Sequence, residues 1–153
     1  MMEKGEKELI FYALDPIIGK GRELAKSEFA IKSTATYAWD ISPDGSRIAV
    51  ISGLGPFVRI IDLRLGTKRD MPVSGDWSLQ TVGWTADGKA VFLTVWTPKA
   101  FLLARVDLAG PTQVLENEGL THMMSGIAPS PDGRYLAFGA ETSDSNVWLL
   151  ESF

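Results

Sequence analysis

Ser130-Pro131-Asp132-Gly133-Arg134-Tyr135-Leu136-Ala137-Phe138 is one of three copies of a single pattern, and that repetition decides the fold. Ser42-Pro43-Asp44-Gly45-Ser46-Arg47-Ile48-Ala49 is the first copy, and Thr85-Ala86-Asp87-Gly88-Lys89-Ala90-Val91-Phe92 is the second. Their Asp-Gly pairs lie 43 and then 45 residues apart. A second marker keeps step with them, an apolar run closed by an acid, at 57–62, 102–107 and 146–151, and once earlier at 10–15. Two markers in phase along the chain identify a repeat of 40–50 residues, in which each unit buries its apolar face against the next.

Each unit reads as four strands. Pro-Asp-Gly is turn chemistry, since proline presets φ, aspartate bonds the backbone ahead of it and glycine accepts positive φ. Runs rich in β-branched and aromatic residues flank the turn, and glycine and proline interrupt every window long enough for a helix. Asp62-Leu63-Arg64-Leu65-Gly66 forms a second turn, echoed by Asp15-Pro16-Ile17-Ile18-Gly19 and, one residue shorter, by Asp107-Leu108-Ala109-Gly110. The expected strands are 9–14 and 22–25; 36–41, 47–52, 57–62 and 68–72; 79–84, 90–96, 100–107 and 112–115; and 124–128, 135–140 and 146–150. This divides the chain into an N-terminal tail at 1–8 and one domain at 9–153. The domain holds a half unit at 9–25, full units at 36–72 and 79–115, and an incomplete unit at 124–151. Several runs, Phe57-Val58-Arg59-Ile60-Ile61 among them, are nearly continuously apolar, as in strands buried on both faces.

The composition narrows the function. Apolar residues make up 45% and charged residues 22% of the 153, which is ordinary for a folded domain and unlike a disordered chain. The net charge of −4, with no Lys/Arg cluster beyond Lys68-Arg69, argues against a nucleic-acid partner, which needs clustered basic groups to neutralise phosphates. With no cysteine there is neither a disulfide nor a thiolate nucleophile. The charged start of the sequence lacks the apolar core of a signal peptide, and the apolar runs are strand-length, so membrane insertion is not expected and the compartment stays open.

The motif resembles the repeat of TolB-type β-propellers, relatives of the WD40 class, whose signature is Ser-Pro-Asp-Gly-x-x-(aliphatic)-Ala-Phe. Residues 130–138 match it throughout, residues 42–50 depart only at Val50, and Thr85-Ala86 makes the middle copy degenerate. The resemblance covers roughly residues 9 to 153. Tyr12-Ala13-Leu14-Asp15-Pro16, Gly19-Lys20-Gly21-Arg22-Glu23-Leu24 and Trp39-Asp40-Ile41-Ser42-Pro43-Asp44-Gly45 are similar to the propellers that end bacterial receptor-like serine/threonine kinases. It implies an all-β fold, a partial β-propeller of about three four-stranded antiparallel blades, used for binding or sensing. This chain has no kinase signature of its own. Family propellers close with about six or seven blades, and three blades cannot close. The last unit lacks a fourth strand and the first offers a spare one, so the expected partner is a second copy completing a six-bladed ring. Strand C is then supplied twice, by 9–14 and 146–150. The rival reading is a piece of a larger propeller.

Candidate chemistry is sparse. Gly83-Trp84-Thr85-Ala86-Asp87-Gly88-Lys89-Ala90 imitates a phosphate-binding loop, but it has Ala90 where Ser or Thr binds magnesium, and it lies between strands. There is no Gly-x-Ser-x-Gly elbow, and His122 is the single histidine available to a Ser-His-Asp arrangement or a zinc site. Glu141 and Asp144 near Ser143 and Asn146 have loose spacing for calcium. No catalytic residue, cofactor or metal is assigned, and the chain is expected not to be an enzyme. The alternatives are a propeller-borne hydrolase or lyase and a purely self-assembling fragment. In a propeller the D-to-A and B-to-C connections share one face. A protein or small-molecule ligand there would meet Trp77, Trp96, His122 and Trp39 with Asp40; aromatic packing is the competing role for each tryptophan.

Overall fold

The structure is a computed structural model that describes residues 2–4, 8–28, 37–53, 55–74, 76–119 and 123–142. These form four antiparallel sheets. The first joins β1 (Met2–Lys4), β2 (Glu8–Asp15) and β3 (Gly19–Glu28). The second is β4 (Tyr37–Ile41), β5 (Arg47–Ser52), β6 (Phe57–Asp62) and β7 (Lys68–Pro72), and the third is β8 (Ser78–Trp84), β9 (Ala90–Trp96), β10 (Phe101–Asp107) and β11 (Thr112–Asn117). The fourth pairs β12 (Met123–Pro129) with β13 (Leu136–Glu141). In the two complete sheets each strand pairs with its sequence neighbours, the meander of a propeller blade. The first strands of successive sheets lie side by side, β4 against β8 and β8 against β12, so these line the inside of the array.

The repeated turns explain the alternation. Ser42 Oγ donates to Asp44 Oδ1 and accepts the backbone N–H of Arg47, while Asp44 Oδ1 also accepts the N–H of Ser46. The same bonds recur around Ser130 and Asp132. They recur too in the middle copy, where Thr85 Oγ1 donates to Asp87 and accepts the N–H of Ala90. Threonine therefore serves as serine does, and the degenerate copy keeps the turn. Gly45, Gly88 and Gly133 have φ of +70°, +63° and +71°, where a side chain is strained. The acids closing the third strands are also turn-makers: Asp62 Oδ1 accepts the N–H groups of Arg64 and Leu65, and Asp15 those of Ile17 and Ile18.

Blades pack face to face because their middle strands are apolar on both sides. On β5, Ile48 and Val50 face the first sheet and meet Leu9, Phe11 and Ile61. Ala49 and Ile51 face the other way, into a cluster with Val58, Met71, Leu79, Trp84, Val91 and Leu93. Complete burial of one such aliphatic side chain stabilises by ~1.5–3 kcal/mol, so these two layers dominate the fold. Polar links reinforce them: Arg59 forks onto Asp70 at 2.6 Å through two nitrogens and also donates to Ser27 and the Glu28 carbonyl of the first sheet. Between the third and fourth sheets the backbones approach closely. A Cβ on Gly83 would lie 3.1 Å from Ile127 Cγ2.

The beginning of the chain differs from expectation. Residues 1–8 read as a tail, yet Met2, Glu3 and Lys4 pair with Phe11, Ile10 and Leu9, and the half unit is a three-stranded sheet. Three residues with two charges carry no periodic signal; an unpaired strand edge supplies the order instead. The strand expected at 22–25 extends to 19–28, starting at the turn itself. The strand expected at 146–150 lies outside the described residues.

Candidate functional site

Backbone hydrogen bonds sort the connections into two rims. On one, Val73 N–H donates to the Pro56 carbonyl and Glu118 N–H to that of Phe101, tying each connection after a fourth strand to the entry of the third strand. On the other, Leu63 N–H donates to Ser46 and Leu108 N–H to Lys89, tying the third-strand turns to the Asp-Gly turns. The expected ligand residues divide accordingly.

Trp77 and Trp96 share the first rim. Trp96 ends β9, cross-strand from Ser78 and Phe101, and 49% of it faces solvent. Trp77 is half-buried against the core between the second and third sheets. His122 lies outside the described residues. Trp39 is on the innermost strand but its ring meets Phe11 edge-on, with centroids 5.6 Å apart and planes at 72°, which makes it packing between the first two sheets. Asp40 is committed to the framework. Its Oδ2 accepts the backbone N–H of Trp84 at 2.8 Å, Oδ1 accepts that of Ile41, and its carbonyl accepts the Trp84 indole N–H at 3.2 Å. Trp84 is buried, with the Arg47 guanidinium 4.8 Å from its ring centroid, and Arg47 also donates to the Gly88 carbonyl. Of the five expected residues, two share a rim and two hold blades together.

The turn rim contains a feature the sequence reading did not single out. A cleft of about 630 Å³ opens between the third and fourth sheets, with Phe92, Arg105 and Leu115 on one wall and Tyr135 and Leu136 on the other. The signal was present in the third repeat, where aromatic Tyr135 and Phe138 replace Arg47 and Val50 of the first.

The carboxylates of the Asp-Gly turns, of which Asp87 and Asp132 line this cleft, are poor proton shuttles. The Ser42 hydroxyl, followed by the Ser46 N–H and hydroxyl, holds Asp44 down to about 2. The Thr85 hydroxyl and Lys89 N–H lower Asp87, and the Ser130 hydroxyl and Arg134 N–H lower Asp132. Hydrogen bonds to the charged form keep each ionised, away from the range a general acid or base needs near neutrality. Arg105 donates to Asp107 at 3.1 Å. Among the described residues no three His, Cys, Asp or Glu side chains gather where they could hold a metal, and no helix is long and apolar enough to cross a membrane.

No protein-family model matches the sequence, and no curated protein does. Solved structures do match. The hydrazine synthase of Kuenenia stuttgartiensis aligns over 87% of this chain and 43% of its own, with TM-score 0.59 and 21% identity. The Cps50 (Swd1) β-propeller domain of Myceliophteria thermophila aligns over 87% and 42%, with TM-score 0.58 and 16% identity. A putative 6-phosphogluconolactonase from Bacteroides uniformis aligns over 91% and 48%, with TM-score 0.58 and 13% identity. The chain thus spans less than half the length of each of these structures. At such identities the likeness concerns architecture, and together with the two four-stranded blades it makes this chain a β-propeller array.

Proposed function

We propose that the chain is a non-catalytic binding scaffold, a propeller ring of six blades made from two copies, that recognises a protein or small-molecule ligand on the rim bearing Trp77 and Trp96. The observation that carries this reading is the division of labour between the rims. Asp40, Asp44, Asp87 and Asp132 are consumed as hydrogen-bond acceptors inside the framework, whereas Trp96 stands half in solvent at the opposite end of β9. An exposed indole on a rigid strand end is the kind of anchor that binding surfaces use, because burying it costs little side-chain entropy. The resemblance to sensor propellers of receptor-like kinases points the same way.

A displayed peptide library selected on the wild type and counter-screened on Trp96→Ala tests the site. Peptides weakened about tenfold or more, the ~1.4 kcal/mol scale of a hot-spot residue, support the rim. Peptides that bind both proteins equally place recognition elsewhere. The enzymatic alternative is tested with 6-phosphogluconolactone, the substrate class implied by the name of one structural neighbour. Hydrolysis is expected at the spontaneous rate, and protein-dependent turnover overturns the scaffold reading.

A further inference from the structure

We infer that the turn rim carries a site for an anionic phospholipid surface, with Ile17 and Ile18 at the tip of the β2–β3 hairpin seated among the headgroups. The site is independent of the Trp96 rim, which then faces away from the lipid.

The β2–β3 and β6–β7 hairpins end in tips of the same build. Asp15-Pro16-Ile17-Ile18-Gly19 and Asp62-Leu63-Arg64-Leu65-Gly66 each join the last two strands of their sheet. In both, the aspartate Oδ1 accepts the N–H groups two and three residues ahead, and the glycine has positive φ. These bonds fix the shape of the tip through the backbone, and none of them requires an apolar side chain at 17 or 18. Yet Ile17 is 92% exposed and Ile18 82%.

The lack of a neighbouring blade does not explain this exposure. Arg64 and Leu65 are the matching residues of the second sheet, which packs against the first sheet on one face and the third on the other. Both are exposed all the same. A blade covers the face of its neighbour, whereas a tip stands beyond that face. Leu14 is the contrasting case, since its equivalents Ile61 and Val106 are buried. In the third sheet the tip is the shorter Asp107-Leu108-Ala109-Gly110, with Leu108 packed against the core, so the apolar tips belong to the first two sheets.

The charges around these tips select the surface. Lys20 and Arg22 follow Ile18 on β3, and Arg64, Lys68 and Arg69 belong to the second hairpin; all five are exposed. Leu24 of the first hairpin and Leu63 of the second share one apolar cluster, so the two lie side by side. The acids of this region are engaged within it. Asp15 and Asp62 hold their own turns, Asp44 bonds Ser42 and Ser46, Glu23 meets Lys26 at 3.5 Å, and Asp70 bonds Arg59. The whole chain carries −4, so this end is the one that an anionic surface attracts. A protein partner fits less well, because specific interfaces bury ~800 Å² on each side and a two-residue tip supplies a small part of that. A bilayer needs no matching contour. Protruding apolar side chains enter the headgroup layer while flanking Lys and Arg meet the anionic lipids, and no membrane-crossing segment is involved.

Vesicle sedimentation tests the site. Wild type is mixed with vesicles of phosphatidylcholine and phosphatidylserine at roughly 7:3, and separately with phosphatidylcholine alone. Binding to the anionic vesicles is expected to be at least about tenfold stronger, and to fall as salt is raised. Ile17→Ser with Ile18→Ser is expected to weaken it at least about tenfold, with circular dichroism and urea midpoint unchanged because the turn bonds remain. Arg22→Gln with Arg64→Gln is expected to weaken it about fivefold or more. Trp96→Ala, on the opposite rim, is expected to bind as wild type does. Failure of the wild type to bind the anionic vesicles overturns the site, as does unchanged binding by the double serine variant. Equal binding to both vesicle types overturns the anionic surface, and a matching loss in Trp96→Ala moves the contact to the other rim. A dimer mass by light scattering that reverts to monomer in the double serine variant, without vesicle binding, assigns the tips to contact between copies and likewise overturns the lipid site.

Discussion

The seam between the second and third sheets is closed, and the seam between the third and fourth is open, although the same repeat builds both. At the closed seam Trp84 is buried beneath Arg47 and tied to Asp40, and Met71 of β7 is buried against the neighbouring blade. At the open seam Leu115 of β11 is exposed and Leu136 borders empty space. The turns on the two sides of each seam are alike, down to the serine or threonine hydroxyl that bonds the aspartate. Local sequence thus builds the hairpin, while the outer strands of the adjoining blade decide whether its apolar face is buried.

The largest effect expected from breaking this comparison is Trp84→Ala. It removes the largest fully buried side chain among the described residues and the indole partner of the Asp40 carbonyl, so urea unfolding is expected to lose ~3–5 kcal/mol. A loss below ~1 kcal/mol would mean that the seam adds little to stability.

A smaller effect is expected at the open seam. Gly83→Ala sets a methyl group 3.1 Å from Ile127 Cγ2, close enough that β12 must shift. The expected cost is ~1–2 kcal/mol, of the kind that overpacking brings. Combining it with Ile127→Ala removes the nearest opposing atom, so the double variant is expected to be less destabilised than the sum of the singles. Additive losses would show that β12 does not sit against Gly83 in solution.

The mildest perturbation is acid. Asp44 has its folded value lowered from 3.8 to about 2, and Asp15, Asp87, Asp107 and Asp132 are lowered as well. A carboxylate held lower in the folded state binds fewer protons there than in the unfolded chain. Its stabilisation is therefore complete above pH 3.8 and declines as pH falls towards 2. Stability followed by urea titration is expected to fall across that window, and to fall less steeply in Asp44→Asn. Because these turns recur at every blade, the decline is expected at open and closed seams alike; a decline confined to one seam would show that the turns are not equivalent.

The turns and strands were legible in the sequence because their causes are local. Asp44, Asp87 and Asp132 bond atoms within two residues of themselves, and their glycines need positive φ wherever the turn occurs. The candidate site was legible only in part. Trp96 reads correctly as a rim residue, since its position follows from where β9 ends. Asp40 read as a ligand contact because its partner, the N–H of Trp84, lies 44 residues further on in the next blade. β1 was invisible because pairing with an open edge requires no side-chain pattern, as Met2, Glu3 and Lys4 show.

By itself the sequence determined what short-range chemistry controls: the repeat, its turns, the four-strand unit and the nearly continuous apolar runs, 57–61 among them, of strands buried on both faces. Tertiary structure alone decided which apolar faces are covered. Ile61, Val106 and Leu14 occupy the same place in their repeats, and two are buried while the third faces solvent. The physical reason is that burial belongs to a pair of surfaces, and a strand's own residues cannot say whether the second surface is present.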